Sequence, residues 1–105
     1  MTEDKRITVE EDGQLLAQAT VSPPDENNQA RAQVHVAAGH LPIDTRRKLA
    51  DAVCDAVTED NAERLTATVP VGDAELVERM RDHLSDVELR AAGATSIIKG
   101  EIRPS

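Results

Sequence analysis

The chain has 105 residues, a formal net charge of −8, and no Phe, Tyr or Trp. Without aromatic side chains it offers no stacking platform for single-stranded nucleic acid, no cation–π cage and no tyrosine general acid. Its excess of 20 acidic over 12 basic residues opposes non-specific binding to nucleic acid and to anionic membranes. We therefore expect neither a nucleic-acid partner nor a membrane partner.

The single cysteine, Cys54, cannot form an internal disulfide, which favours a reducing compartment. Residues 1–6 are not followed by the apolar run of a signal peptide, so we expect a cytoplasmic protein. The length favours a single domain over residues 1–105, with residues 1–6 and 103–105 frayed.

Alternation of apolar and polar residues predicts three strands in the first part of the chain. Two of them flank Asp12-Gly13, a dipeptide typical of hairpin turns. Residues 22–29 contain two prolines followed only by polar residues, which predicts a loop. In the third strand alternate residues from Ala30 to Ala38 are apolar, and His35 falls on the other, polar face.

Two helices alternate with the remaining strands. Asp44 is the predicted N-cap of the first helix, which runs to about Glu59 with apolar residues four apart along one stripe. A strand over residues 65–71 follows, and Gly72-Asp73 opens the second helix.

Within this second helix, Glu75 and Arg79 have the i,i+4 spacing of an ion pair. A closing hairpin is predicted over residues 87–98. The complete order is β-β-β-α-β-α-β-β, which predicts an α+β fold: a mixed, mostly antiparallel sheet carrying two helices.

The strand, loop and helix from Ala30 to Asp60, with the elements after them, resemble the C-terminal half of GNAT-type N-acetyltransferases. In that family a loop of the form R/Q-x-x-G-x-G/A leads into the helix and binds the pyrophosphate of acetyl-CoA through its backbone N–H groups. Residues 38–46 occupy that place here and contain one glycine. Pro42 removes a donor, and Asp44 adds negative charge where the phosphates would lie.

The resemblance implies a site for acyl-CoA, or another small anion, near Gly39–Arg47. Its candidate cofactor-binding residues are Gly39, His40, Thr45, Arg46 and Arg47. The run Arg46-Arg47-Lys48 has a second interpretation, a solvated helix face without a ligand.

The possible nucleophiles and metal ligands form no recognised spacing. Cys54 lies at the margin of an apolar helix stripe, which is typical of a buried, inert thiol. A dyad of Cys54 with His35 or His40 is the alternative. We therefore expect no metal site and no catalytic residues.

Two functions remain open. The first is a non-catalytic protein-interaction or regulatory domain that binds a protein partner or a second copy of itself, with no cofactor. The alternative is a degenerate or accessory acyltransferase-like domain that binds acyl-CoA. Parallel strands that splay apart near Gly39 would support the alternative, and a closed, continuous sheet would support the interaction domain.

Overall fold

A computed structural model describes residues 4–36, 42–70 and 73–102. The order of elements is the predicted β-β-β-α-β-α-β-β. The elements are β1 (Lys5–Glu11), β2 (Gln14–Val21), β3 (Gln29–Val36), α1 (Ile43–Glu59), β4 (Arg64–Pro70), α2 (Ala74–Asp82), β5 (Leu84–Ala92) and β6 (Thr95–Ile102). Both Lys5 and Arg6, expected to fray, lie in β1, and Gln29, expected in a loop, begins β3.

The six strands form one mixed sheet in the order β1-β2-β3-β4-β6-β5. Only β3 and β4 are parallel neighbours, and the other four neighbouring pairs are antiparallel. The predicted α+β class and mostly antiparallel sheet are thus confirmed. The tight first turn places Asp12 and Gly13 at positive φ, as an Asp-Gly hairpin requires.

Both helices cover the same face of the sheet. The crossovers β3-α1-β4 and β4-α2-β5 each join parallel strands and run in the same direction along the sheet. Because such crossovers are right-handed, they place both helices on one side. The opposite side, which we call the open face, carries no helix among the described residues.

The core lies between the helices and the sheet and consists of small side chains. Alternate residues of β2, β3 and β4 face the helices, and most of them are Ala or Val. Ala32 of β3 pairs with Val21 on one side and Ala67 on the other, and all three are buried. Leu49 and Leu76 are the fully buried leucines of α1 and α2. Small strand residues therefore bring the helices close to the sheet.

The N-terminus of α1 differs from the prediction. The helix begins at Ile43, and its N-cap is Pro42, which provides no side-chain hydrogen bond. Asp44 lies inside the first turn and is not the cap. Proline is compatible with this position because its fixed φ suits entry into a helix and its missing N–H is not needed there.

The closing hairpin is longer than predicted because β5 starts at Leu84. Its pairing with β6 is irregular between Ser85 and Glu88, where Asp86 adopts a positive φ of 52°. This bulge interrupts the period-two pattern, so alternation alone did not show the first part of the strand.

Candidate functional site

The parallel strands β3 and β4 pair along only part of their length. Their register runs from Gln29 opposite Arg64 to Gln33 opposite Thr68. Beyond these residues the two strands no longer pair with each other: β3 continues to Val36 beside β2, and β4 continues to Pro70 beside β6. We call the space between these two strand ends the β3–β4 opening.

The backbone provides one reason for the opening. Pro70 has no N–H, so the end of β4 cannot donate a further bond to β3. The opening lies at the carboxyl ends of the parallel strands, where ligands bind in open sheets that carry helices. The predicted cleft at Gly39 itself lies outside the described residues, as do Gly39 and His40.

The N-terminus of α1 follows β3 and therefore lies at the same end of the sheet. The N–H of Arg46 donates to the carbonyl of Pro42 at 3.0 Å, so regular helix bonding starts there. The N–H groups of Ile43, Asp44 and Thr45 precede that first bond and have no acceptor within the helix. With the helix dipole, they form a region of positive potential that suits an anion.

Arg46 points from α1 to the N-terminus of α2. Its terminal nitrogen lies 3.4 Å from Oδ1 of Asp73, and its side chain is only 23% exposed. The Nε atom of Arg46 is buried and has no hydrogen-bond partner among the described residues. Asp73 is itself buried and caps α2 by accepting the N–H of Leu76 at 3.4 Å. The Arg46–Asp73 contact thus links the first turns of the two helices.

The other candidate residues at this end are more exposed. Arg47 lies 3.6 Å from a carboxylate oxygen of Glu75 in α2, and Thr45 is half-buried. The structure therefore brings Thr45, Arg46 and Arg47 together at the end of α1. Each arginine is directed towards an acidic side chain of α2.

Sequence patterns did not identify Asp73 and Glu75 as partners of these arginines. The sequence marks Asp73 only as the start of a helix, and the i,i+4 spacing predicts Arg79 as the partner of Glu75. The available signal was topological: helices that follow neighbouring parallel strands begin at the same end of the sheet. Their first turns are therefore close enough to exchange ion pairs.

Arg79 has a different partner from the predicted one. Its Nε and one terminal nitrogen donate to the two carboxylate oxygens of Asp51 at 2.8 and 3.1 Å. Nε2 of His83 lies 2.8 Å from Oδ1 of the same carboxylate. These bonds lower the pKa of Asp51, with the bond from Arg79 as the largest cause. The Asp51–Arg79–His83 cluster joins α1 to the end of α2.

Cys54 does not form a dyad with His35. Cys54 is 3% exposed and belongs to the core under α1, whereas His35 is exposed on the open face. Burial, with smaller contributions from the nearby Asp51 and Asp55, raises the pKa of the Cys54 thiol to about 12. The thiol is therefore protonated and inert, as its place in the helix stripe predicted. His40 lies outside the described residues.

Within residues 4–36, 42–70 and 73–102, no three His, Cys, Asp or Glu side chains come together in a way that could hold a metal ion. No helix of the described chain is long and apolar enough to cross a bilayer.

Several solved structures share this architecture. Ribosomal-protein-alanine N-acetyltransferase from Brucella melitensis aligns with a TM-score of 0.65 and 18% identity, covering 95% of this chain and 69% of that one. An acetyltransferase of the GNAT family from Streptococcus pneumoniae gives a TM-score of 0.65 and 11% identity, covering 95% and 67%. The protein yncA from Salmonella typhimurium, solved with its cofactor acetyl-CoA, gives a TM-score of 0.64 and 12% identity, covering 95% and 64%.

No protein-family model and no curated protein matches the sequence. The structural likeness is therefore one of fold at low sequence identity. It extends over nearly the whole chain, while the chain spans about two thirds of each of these acetyltransferases. The GNAT-like fold expected from the sequence resemblance is confirmed.

Proposed function

We propose that this chain is an acyltransferase-like binding domain that holds CoA or an acyl-CoA in the β3–β4 opening. The observation that carries the proposal is the early end of pairing at Gln33 and Thr68, next to the uncapped first turn of α1. This early end of pairing favours the binding function over a plain interaction domain, for which the expectation is strands that pair along their whole length.

Two parts of the ligand have matching groups on the protein. The N–H groups of Ile43, Asp44 and Thr45 suit the pyrophosphate, because oriented backbone donors at a helix N-terminus favour anions. The arm of CoA contains amide groups, which suit the backbone groups of β3 and β4 that face the opening. Arg46 and Arg47 add positive charge, and Asp44, Asp73 and Glu75 offset it. This balance favours modest affinity.

We propose binding without acyl transfer. General acid–base catalysis needs a titratable group placed against the reacting atoms. Of the described residues after Gln33 in β3 and after Thr68 in β4, only His35 has such a side chain. His35 forms no hydrogen bond to an acidic side chain of the described residues. The sequence has no tyrosine to act as acid, and the thiol of Cys54 is buried.

Titration of the ¹⁵N-labelled chain with CoA and with acetyl-CoA tests the proposal. We expect saturable chemical-shift changes at the amides of Ile43–Arg46 and at the ends of β3 and β4, and none in β1. Pantetheine, which lacks the pyrophosphate, should bind more weakly and leave the α1 amides unchanged. Absence of shifts at millimolar CoA would refute binding. Acetylation of an added amine by the chain would refute the non-catalytic part.

A protein-interaction function is the second candidate, and the open face favours it. None of the cations on that face lies within 4.0 Å of a described carboxylate, whereas the helix arginines all do. The open-face cations are Arg6, Arg31, Arg64, Arg90 and Lys99. A soluble Glu-rich peptide should then change the chemical shifts of the amides of Arg31 and Lys99. CoA should instead change the chemical shifts of the amides at the start of α1.

A further inference from the structure

The two edge strands of the sheet differ in how well they resist pairing with another strand. In β1, four of the seven residues are charged, and the pairing with β2 is irregular between Val9 and Glu10. Charge and bulges are the usual means of blocking an edge. In addition, Nζ of Lys5 is held by Asp60 at 2.9 Å. This edge is therefore protected.

The other edge, β5, is protected only in its first half. The bulge between Ser85 and Glu88 disturbs the start of the strand. From Glu88 to Ala92 the register with β6 is continuous, and this stretch contains neither proline nor glycine. One side of this stretch pairs with β6, and the other side has no partner strand in the sheet. It is a regular edge with backbone groups available for pairing.

The helix-side surface of this edge is apolar. Leu89 lies opposite the core residue Ile98, yet it is 52% exposed, the highest value among the large hydrophobic residues that the structure describes. Val87 is partly buried against the core, and Ala91 is exposed on the same side. Together they form an apolar row along the outside of the sheet. Burial of such a row favours association.

The open-face side of the same stretch carries one acid and one base, Glu88 and Arg90, on either side of Leu89. Both are exposed, and neither forms a salt bridge within the described chain. The charges are placed symmetrically about Leu89, so the pattern is complementary to itself when the strand is reversed.

From these observations we propose that two copies of this chain pair through β5, antiparallel, about a twofold axis at Leu89. Leu89 then lies opposite the partner's Leu89, and Glu88 lies opposite the partner's Arg90. The two sheets become one sheet of twelve strands. Opposite charges and apolar residues both meet, which is how cross-strand pairs stabilise a sheet.

The helix next to this edge does not oppose the pairing. Glu78 and Arg81 of α2 line the same shallow pocket as Leu89, and they form an ion pair at 3.8 Å. Their charges cancel, so this pair adds no net charge beside the edge strand. The contact covers only a few residues of each strand, which places it among small, transient interfaces. We expect a dissociation constant of roughly 10 μM to 1 mM.

Sedimentation equilibrium from micromolar to millimolar concentration tests the proposal. E88R alone and R90E alone place like charges opposite each other, so each should weaken self-association at least about tenfold. A mixture of the two variants should form a heterodimer, because acidic positions then face basic ones. The double variant E88R/R90E should self-associate like the wild type, since the exchange preserves the complementarity.

L89K should abolish the dimer, and T8K provides the matched control on the other edge. Thr8 is exposed in β1, so T8K should leave the association unchanged. Far-UV circular dichroism should show that every variant is folded, because all the positions are exposed. A wild type that is monomeric at millimolar concentration would overturn the proposal. So would dissociation by T8K, or no gain on mixing E88R with R90E.

Discussion

Arg79 in α2 holds both carboxylate oxygens of Asp51 in α1, at 2.8 and 3.1 Å, although the two residues are 28 positions apart in the chain. The contact is bidentate, which is the stronger arrangement for an arginine and a carboxylate. It fixes the relative position of the two helices above the sheet. The stability of that arrangement should therefore depend on the ionisation of Asp51.

The variant D51N tests this dependence. At pH 7 we expect a loss of about 0.5–1 kcal/mol in the free energy of unfolding, because the pair is partly exposed. The folded-state pKa of Asp51 is lowered, so its contribution is complete above the unfolded value near 4 and disappears as the pH falls through the folded value. Urea unfolding at pH 7, 5, 4 and 3 should show the two proteins converging in acid.

Asp55 provides the control for this pH series. It lies one turn later in α1, is exposed, and forms no ion pair with the described residues. D55N should change stability little at any pH. If D51N and D55N lose the same amount across the series, the Asp51–Arg79 contact contributes nothing specific.

The contact between Arg46 and Asp73 leads to a prediction about the ligand. D73N keeps a side-chain oxygen to cap α2 and removes the charge that holds Arg46. Arg46 then becomes available to an anion at the start of α1. We expect CoA to bind about 2- to 5-fold more tightly at low salt, the effect of one charge near a helix end.

Isothermal titration calorimetry at 20 and 200 mM salt would measure that gain, which should shrink as the salt increases. E78Q removes an exposed acid of α2 whose one ion pair with the described residues is to Arg81, and it serves as the control. If D73N and E78Q bind CoA with equal affinity, the release of Arg46 does not contribute to CoA binding.

Cys54 should be unreactive in the folded protein. Its thiol is buried, with a pKa raised to about 12, so almost no thiolate exists at pH 8. We expect negligible labelling by a disulfide reagent under native conditions and complete labelling in guanidinium. Labelling of the native chain within seconds would show that Cys54 reaches solvent. The comparison needs no variant, because the unfolded chain is its own control.

The small residues under the helices should resist enlargement. Ala32 is buried between Val21 and Ala67 in the sheet, and A32L adds volume where the helices lie close. We expect a loss of about 1–3 kcal/mol in the free energy of unfolding. The same change at the exposed Ala74 should stay within about 0.5 kcal/mol. Urea unfolding of both variants would measure the difference, and equal stability would mean that the core has spare room.

The features that follow from short-range periodicity could be predicted from the sequence. Period-two alternation in Ala and Val marks the strands, and the four-residue spacing from Leu49 to Val57 marks α1. Both periods arise because the core lies on one side of each element, so they survive without aromatic residues. The order of the elements, and with it the GNAT-like topology, followed from those assignments.

The features that depend on packing between elements could not be predicted in this way. Spacing within α2 assigned Glu75 to Arg79, but helix packing directs Arg79 to Asp51 and Glu75 to Arg47. The end of pairing after Gln33 depends on how two strands diverge in space. Pro70, which has no backbone N–H, is a local sign in the sequence that pairing can stop there, but it does not show where the neighbouring strand goes.

The open face has a consequence for how this protein tolerates change. Both crossovers run in one direction, so the fully buried residues of β2, β3, β4 and β6 face the helices, and the residues between them are exposed or half-buried. A library that randomises the outward positions of these strands should consist mostly of folded proteins. A library that randomises the inward-facing positions of the same strands should contain almost no folded proteins. The residues of the open face can therefore change, and with them the partner that this face binds, while the fold stays the same.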